Sequence, residues 1–204
     1  MGHQAIAYNP SYINRFPRGI AVPKKVVKKK AARPAKKKGP IKASAAIGVR
    51  KSSIHGKGVF ARRAIRKGAR LTEYWGPAIT WEEAERRYPK DPVPYHTFLF
   101  EIGDGSMCID AQDTRSVAKW INHACRPNCE AIEDDDERVF VEAKRAIEPG
   151  EELTYDYNLT YEGRISLQEA QRQYPCWCGA KSCRGTMLGK KFGKKKAKKK
   201  AKKK

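Results

Sequence analysis

The chain has 204 residues, 40% of them hydrophobic, and a formal net charge of +22, enough for one domain with a real core plus tails. It holds no run of about 18 apolar residues, which excludes a membrane-spanning helix, and its first stretch lacks the apolar segment of a secretory signal. The charge is uneven: residues 1–45 carry 12 Lys and Arg and residues 189–204 carry 11 Lys, neither with an acid, so the middle is close to neutral.

Both ends read as disordered tails. Val22 to Pro40 is Lys, Ala, Val and Pro without an apolar period, and Lys194 to Lys204 is lysine triplets spaced by Ala197 and Ala201. Like-charge repulsion and too little apolar surface keep such segments from packing. Similar tails neutralise phosphates and bind nucleic acid without sequence preference. RNA, an acidic protein, a membrane surface or a purely solubilising role are the other readings. The start Met1-Gly2-His3-Gln4-Ala5-Ile6 lacks the Ser or Thr of a myristoylation signal. An intracellular protein is expected, in the nucleoid or cytoplasm of a bacterial host or on the chromosomes of a eukaryotic nucleus. The small size leans towards a bacterial or similarly minimal protein. Inside a cell the six Cys read as ligands or free thiols rather than disulfides.

Along the middle, strand-like runs come first at Ile47 to Arg50, Gly58 to Ala61 and Arg70 to Tyr74. Thr80-Trp81-Glu82-Glu83 is a capping-box start, which predicts a helix to about Tyr88, stopped by Pro89. Strands are expected again at Thr97 to Ile102 and Met107 to Asp110, then a helical turn over Ser116 to Ile121. Arg138 to Ala143 and Glu152 to Tyr155 read as the last strands, and Ser166-Leu167-Gln168-Glu169 opens a second helix to about Gln173. Turn signals such as Gly103-Asp104-Gly105 and Glu148-Pro149-Gly150 separate them. The domain is expected to be mostly β (α+β) with few short helices and no internal repeat. Its parts are a tail over 1–45, a domain over 46–160, a linker helix and cysteine segment over 161–188, and a tail over 189–204.

Three motifs carry chemistry. Cys176-x-Cys178-x4-Cys183 puts three thiols in eight residues, and thiolates so spaced suit tetrahedral zinc. A closed site needs a fourth ligand, for which Cys125, Cys129 and Cys108 are candidates; a redox site or three free thiols is the plainer alternative. Tyr155 and Tyr157 stand two apart at a strand end, so both face one side, and Tyr74 ends another strand. Core aromatics explain any one of them equally well. Gly56-Lys57-Gly58 lets a ligand approach the backbone, but it lacks the third Gly of a dinucleotide fingerprint and by itself is a turn.

Together these pieces resemble the SET-domain protein-lysine methyltransferases with a post-SET zinc segment. The resemblance covers roughly residues 46–188. It rests on Gly56 to Ala61, Glu73-Tyr74-Trp75-Gly76, Phe98 to Ile102, Ile109-Asp110-Ala111, Asn122-His123-Ala124-Cys125-Arg126-Pro127-Asn128, Glu152 to Tyr157 and the Cys176–Cys183 cluster. It implies short curved sheets with a pseudoknot, in which the Asn122 segment threads through a loop of the following chain, against the usual connection rules. It implies S-adenosylmethionine held by Lys57, Gly58, Val59, Asn122 and His123, with Trp177 and Leu188 as adenine contacts. It makes Cys125 the fourth ligand of a structural zinc, beside Cys176, Cys178 and Cys183.

The resemblance also assigns the catalytic tyrosine to Tyr157, which would orient the substrate amine. It assigns Tyr155 to the position that sets how many methyls are added, which leans towards mono- or dimethylation, and it puts Tyr74 in the channel wall; Tyr95 is a weaker wall candidate. Departures are Ala124 in place of the usual Ser, Phe98 where some members have Tyr, and a Pro-rich stretch from Pro89 to Pro94 where substrate is selected. The expected function is methylation of a lysine on a basic, DNA-associated protein, histone or histone-like. The enzyme's own Lys-rich tails look like such substrates. A chromosome-binding architectural protein with an inactive SET-like module is the rival reading, and a ribosomal or translation factor is another conceivable substrate. The acidic run Glu133-Asp134-Asp135-Asp136-Glu137 reads as a solvated hairpin tip or as a rim attracting Lys-rich substrate.

Overall fold

A computed structural model describes residues 39–88, 98–160 and 165–189, with the backbone of 22–23. Most of both tails, the Pro89–Pro94 stretch and Tyr95 lie outside the described residues. Twelve short strands and two seven-residue helices are described, in the order β1 (Val22–Pro23), β2 (Ile47–Lys51), β3 (Lys57–Ala61), β4 (Arg70–Tyr74), β5 (Ala78–Thr80), α1 (Trp81–Arg87), β6 (Leu99–Ile102), β7 (Met107–Asp110), β8 (Asn122–His123), β9 (Cys129–Glu133), β10 (Val139–Ala143), β11 (Glu152–Tyr155), β12 (Leu159–Thr160) and α2 (Leu167–Gln173). A short 3-10 turn, Val117–Trp120, precedes β8.

The strands form small sheets ordered β4-β10-β9, β2-β3-β11-β8, β5-β7-β6 and β1-β12. The expected strands and both helices are present, with ends shifted by a residue or two. Thr80 and Ser166 cap the helices as their sequence promised, accepting from the N–H of Glu83 (3.2 Å) and Glu169 (3.1 Å). The reciprocal half of the first capping box is missing because Glu83 turns to Arg86 and Arg87 instead.

The main core lies between the sheets. Val59, Ile121, Val139, Val141, Ile147 and Leu153 are each at most 1% exposed, and burying a side chain of this size stabilises by about 1.5–3 kcal/mol. A separate small core, Leu159, Ile165, Ala170, Tyr174, Met187 and Leu188, fastens the C-terminal segment. Glu73 is buried but satisfied: the Arg138 guanidinium donates to both its oxygens (2.9 and 2.7 Å), and the Ile41 N–H donates to it at 2.7 Å. Residues 39–41, within the stretch expected as tail, are thereby docked on β4 and β10.

One part of the acidic run departs from a solvated tip. Glu133 is 7% exposed and accepts from the Gly103 N–H at 2.6 Å, because it ends β9 rather than sitting in the turn. The turn itself is closed by Asp134, whose carboxylate accepts from the N–H groups of Asp136 and Arg138.

Candidate functional site

The site forms where two distant stretches interlock. β8 lies parallel to β11, with Asn122 opposite Thr154 and His123 opposite Tyr155. The 3-10 turn that delivers β8 is pinned by Ser116, whose hydroxyl donates to the Glu73 carbonyl at 3.0 Å. Asn128 also grips β11, donating to the Glu152 carbonyl (2.8 Å) and accepting from the Thr154 N–H (2.9 Å). A side-chain amide that matches a strand's donor and acceptor in this way replaces a ladder rung. The Asn122 amide nitrogen donates to the carbonyls of His55 (3.2 Å) and Lys57 (3.0 Å) and to Glu152 (2.8 Å). It thus ties the loop before β3 to β8 and β11. Gly58 allows this close approach, since a Cβ there would fall 2.3 Å from Glu152.

At the end of β11 the aromatic rings converge. Tyr155 and Tyr157 lie 4.9 Å apart between ring centroids, Phe100 lies 6.3 Å from Tyr155, and Tyr74 lies 5.1 Å from Phe100. Phe98, the departure from Tyr, packs edge-on against Trp120 at 5.1 Å. Burial raises the phenol pKa of Tyr74 and Tyr155 well above the ordinary value, and Tyr157 phenol charge adds to it; burial and then Glu152 raise that of Tyr157. All three therefore stay protonated at neutral pH and cannot act as bases. The Tyr157 hydroxyl donates to the Ile121 carbonyl at 2.9 Å. Its oxygen lone pairs remain available to an incoming N–H donor.

His123 joins this cluster to the C-terminal segment. Its Nδ1 accepts from the Tyr157 N–H at 3.0 Å, which leaves the proton on Nε2, 3.6 Å from Cys125 Sγ. Burial pushes the imidazole down to about 4 against the pull of Asp156. It is thus neutral, and its 3.5 Å approach to Asp156 is not an ion pair. The charge partner of Asp156 is Arg184, which donates to both carboxylate oxygens at 2.8 and 2.7 Å.

Cys125, Cys176, Cys178 and Cys183 come together with all sulfurs within 4.8 Å of one another. Cys125 Sγ lies 3.7 Å from Cys176 Sγ and 3.8 Å from Cys183 Sγ. Sulfurs at the corners of a zinc tetrahedron with bonds of about 2.3 Å stand about 3.8 Å apart, so this donor set fits that ion. Backbone N–H groups of Cys125, Arg184 and Gly185 point at the sulfurs of Cys178, Cys125 and Cys183. Burial opposes ionisation of Cys178, yet backbone donors from Cys125 and Ala180 bring it down to about 7. The other two candidate ligands are elsewhere: Cys108 and Cys129 are fully buried at 0% exposure.

Between cluster and clip runs a cleft lined by Ile54, His55, Asn122, His123, Tyr157, Pro175, Cys176, Trp177 and Met187. Trp177 is half exposed and stacks on His55, with centroids 5.8 Å apart. Of the residues expected at a methyl donor, Asn122, His123 and Trp177 line this cleft. Lys57, Gly58 and Val59 lie in β3, and Leu188 is buried in the small core; none of these four is part of the lining. Asp156, Arg184, His55 and Met187 were not singled out from sequence. Only the spacing of Asp156 between two tyrosines hinted at a role.

Residues 56–158 match the SET domain. The chain is 39% identical over 144 residues to the histone-lysine N-methyltransferase TRX1 of Oryza sativa subsp. japonica, covering 67% of this chain and 13% of that one. It is 39% identical over 142 residues to the histone-lysine N-methyltransferase ash1 of Drosophila melanogaster (66% and 6%) and 35% identical over 145 residues to the histone-lysine N-methyltransferase 2B of Homo sapiens (68% and 5%). The chain thus spans at most 13% of the length of these relatives. With the SET match running from the glycine turn to the residue after Tyr157, and a cysteine cluster fitting a post-SET zinc site beside it, the chain belongs to the SET-domain family.

Proposed function

We propose that the chain is an S-adenosylmethionine-dependent protein-lysine N-methyltransferase acting on a basic, DNA-associated protein, histone or histone-like. The observation that carries this reading is the double position of Tyr157, which both lines the cleft and belongs to the buried tyrosine cluster. A donor in the cleft and an amine among the tyrosines would meet at that ring. The relatives' description as histone-lysine N-methyltransferases supports the reaction and the substrate class.

The cofactor, when bound, supplies a methyl group already activated on a sulfonium. Asn122, His123 and Trp177 would hold it in the cleft, with Lys57, Gly58, Val59 and Leu188 shaping the wall behind. The tyrosine cluster does the rest. Its dry walls disfavour an ammonium, so the lysine enters neutral and its proton goes to water beforehand. The Tyr157 oxygen, its own proton engaged by Ile121, accepts an N–H and turns the amine lone pair towards the donor. Tyr155 and Tyr74 narrow the space around the amine, which favours addition of one or two methyls. Zinc held by Cys125, Cys176, Cys178 and Cys183 is structural and keeps Trp177 over the cleft. The Lys-rich tails hold the enzyme at nucleic acid, inside the cell and at its chromosomal DNA.

A labelled-methyl assay on core histones and bacterial histone-like proteins tests this. The wild type should label at least one of them. Tyr157→Phe should lose about 10²–10³-fold in rate while binding the cofactor as before. Labelling of none would leave the architectural reading standing, whereas equal labelling by wild type and Tyr157→Phe would keep the enzyme and remove Tyr157 from its catalytic role.

A further inference from the structure

The middle of the chain is neutral only on average. Residues 46–72 hold eight Lys and Arg and no acid, and the first acid of the chain is Glu73. The fold keeps that segregation, because these residues form β2, β3 and the loop leading into β4. Gly48 pairs with Phe60 and Arg50 with Gly58, so by strand alternation these four share one face of the sheet. Val59 alternates with them and is fully buried in the core.

Two guanidinium groups are fixed on that face. Arg50 lies 3.8 Å over the Phe60 ring and donates to the Gly150 carbonyl at 2.9 Å. Arg62 lies across Gly48, where a Cβ would fall 2.3 Å from its Nε. The acid opposite Phe60 on the other side, Glu152, is already held by Ser52 (2.7 Å) and Asn122 (2.8 Å). The loop after β3 is pinned along its length. The Arg62 N–H donates to the Ala46 carbonyl (2.7 Å), Ile65 and Ile147 exchange both backbone bonds at 2.9 Å, and the Gly68 N–H donates to the Ala143 carbonyl (2.7 Å). Ile65 is buried, while Arg62, Arg63, Arg66 and Lys67 around it are exposed, as is Lys144 next to Ala143.

These cations lack the partners that the domain's other arginines have. Among the described residues seven arginines, Arg70, Arg138 and Arg184 among them, pair with a carboxylate. Of the six that do not, four are Arg50, Arg62, Arg63 and Arg66. Near Ile147, Glu151 is taken up by Arg145 (3.0 Å) and Glu148 is exposed, so six cations are set against one open acid. Guanidinium forks meet phosphate oxygens with two bonds at once. Side chains and a loop held in place beforehand lose little freedom on binding.

We propose that this face binds the phosphate backbone of double-stranded DNA, as an ordered site separate from the Lys-rich tails. Only the choice of DNA over RNA rests on the substrate class proposed above; the phosphate chemistry stands without the methyl-transfer reading. β3 starts at the cleft, where the Lys57 carbonyl accepts from Asn122. At about 3.3 Å per residue it reaches Arg62 about 17 Å on. A duplex held there brings the cleft to proteins on the same DNA.

The test uses the full chain without cofactor and a short DNA duplex, titrated between about 50 and 200 mM salt. Arg62→Gln/Arg63→Gln/Arg66→Gln should lower the slope of log affinity against log salt by about 2–3, since each phosphate contact contributes about 0.9. The charge-matched variant Arg115→Gln/Arg126→Gln/Lys181→Gln removes cations exposed on other loops and should lower it by less than ~1. Equal drops would assign all binding to the tails and net charge and overturn the site. In the unaltered chain the duplex should protect Arg62, Arg63 and Arg66 from phenylglyoxal, read by peptide mass, more than Arg115 and Arg126. Equal protection would overturn the site as well, whether or not the variants fold. A larger loss of slope on an RNA duplex of the same length would overturn DNA as the occupant. If histones are not methylated while the slope loss and protection hold, the methyl-transfer reading fails and this face stands.

Discussion

The tyrosine cluster and the thiol clip meet at His123, yet they are held by different means. The cluster hangs on β4, β6 and β11, whose backbones are paired within sheets and whose rings are buried in the main core. The clip has a small core of its own, one bidentate ion pair and four sulfurs that repel as thiolates without a cation. One region is set by apolar burial and hydrogen-bonded strands, the other by a small core, an ion pair and four thiols whose spacing fits a zinc ion. A site that spans both can therefore lose its clip side and keep its tyrosine side.

The largest expected effect comes from breaking the clip. Chelation of zinc, or Cys178→Ser, should release residues 176–189, read as fast amide exchange there with slow exchange retained in β4 and β11. If the docked fraction falls to about a tenth, cofactor affinity falls ~10-fold with it. Loss of protection in β11 as well would show that the two regions are not separable. Next comes Asp156→Asn, which keeps volume but removes the partner of Arg184. A hydrogen-bonded charge pair of this kind is worth about 1–3 kcal/mol. The loss should appear in denaturant melts, and as weaker cofactor binding with the Tyr157 hydroxyl environment unchanged.

The smallest effect belongs to the cluster's side. The Arg145 guanidinium, helped by the Glu148 N–H, holds the Glu151 carboxyl at about 2 instead of 4.5. A carboxyl lowered on folding stabilises fully above 4.5, and that contribution fades as pH falls towards 2. The pair is partly exposed, which keeps the effect small. Glu151→Gln should slightly flatten stability against pH between 4.5 and 2, with melting curves converging at the acid end. A variant as pH-sensitive as the wild type would remove Glu151 from the account.

Much of the fold was legible locally. Arg70–Tyr74, Met107–Asp110 and Glu152–Tyr155 alternate or run apolar between turn residues, and Thr80 and Ser166 stand where caps belong. β9 was not legible, because Cys129-Glu130-Ala131-Ile132-Glu133 has two acids and a weak pattern. It is a strand because β10 offers it a full antiparallel edge. The same pairing buries Glu133, which the sequence grouped with an acidic rim. Asn122–His123 was legible as a motif but not as a strand, since its partner Thr154–Tyr155 lies some thirty residues on.

By itself the sequence determined the residue types: three clustered thiols with three more in reserve, tyrosines two apart, a neutral middle and lysine-rich ends. Those are local properties, fixed by side-chain chemistry and spacing. Spacing left three candidates for the thiol that completes the clip and the family resemblance pointed to Cys125; the tertiary structure brings Cys125 to the sulfurs and leaves Cys108 and Cys129 in the core. It alone brought Asp156 to Arg184 and laid Val22–Pro23 beside Thr160. These contacts join segments far apart in the chain. They form because sheets must complete their hydrogen bonds and cores must close, and no short stretch of sequence carries that information.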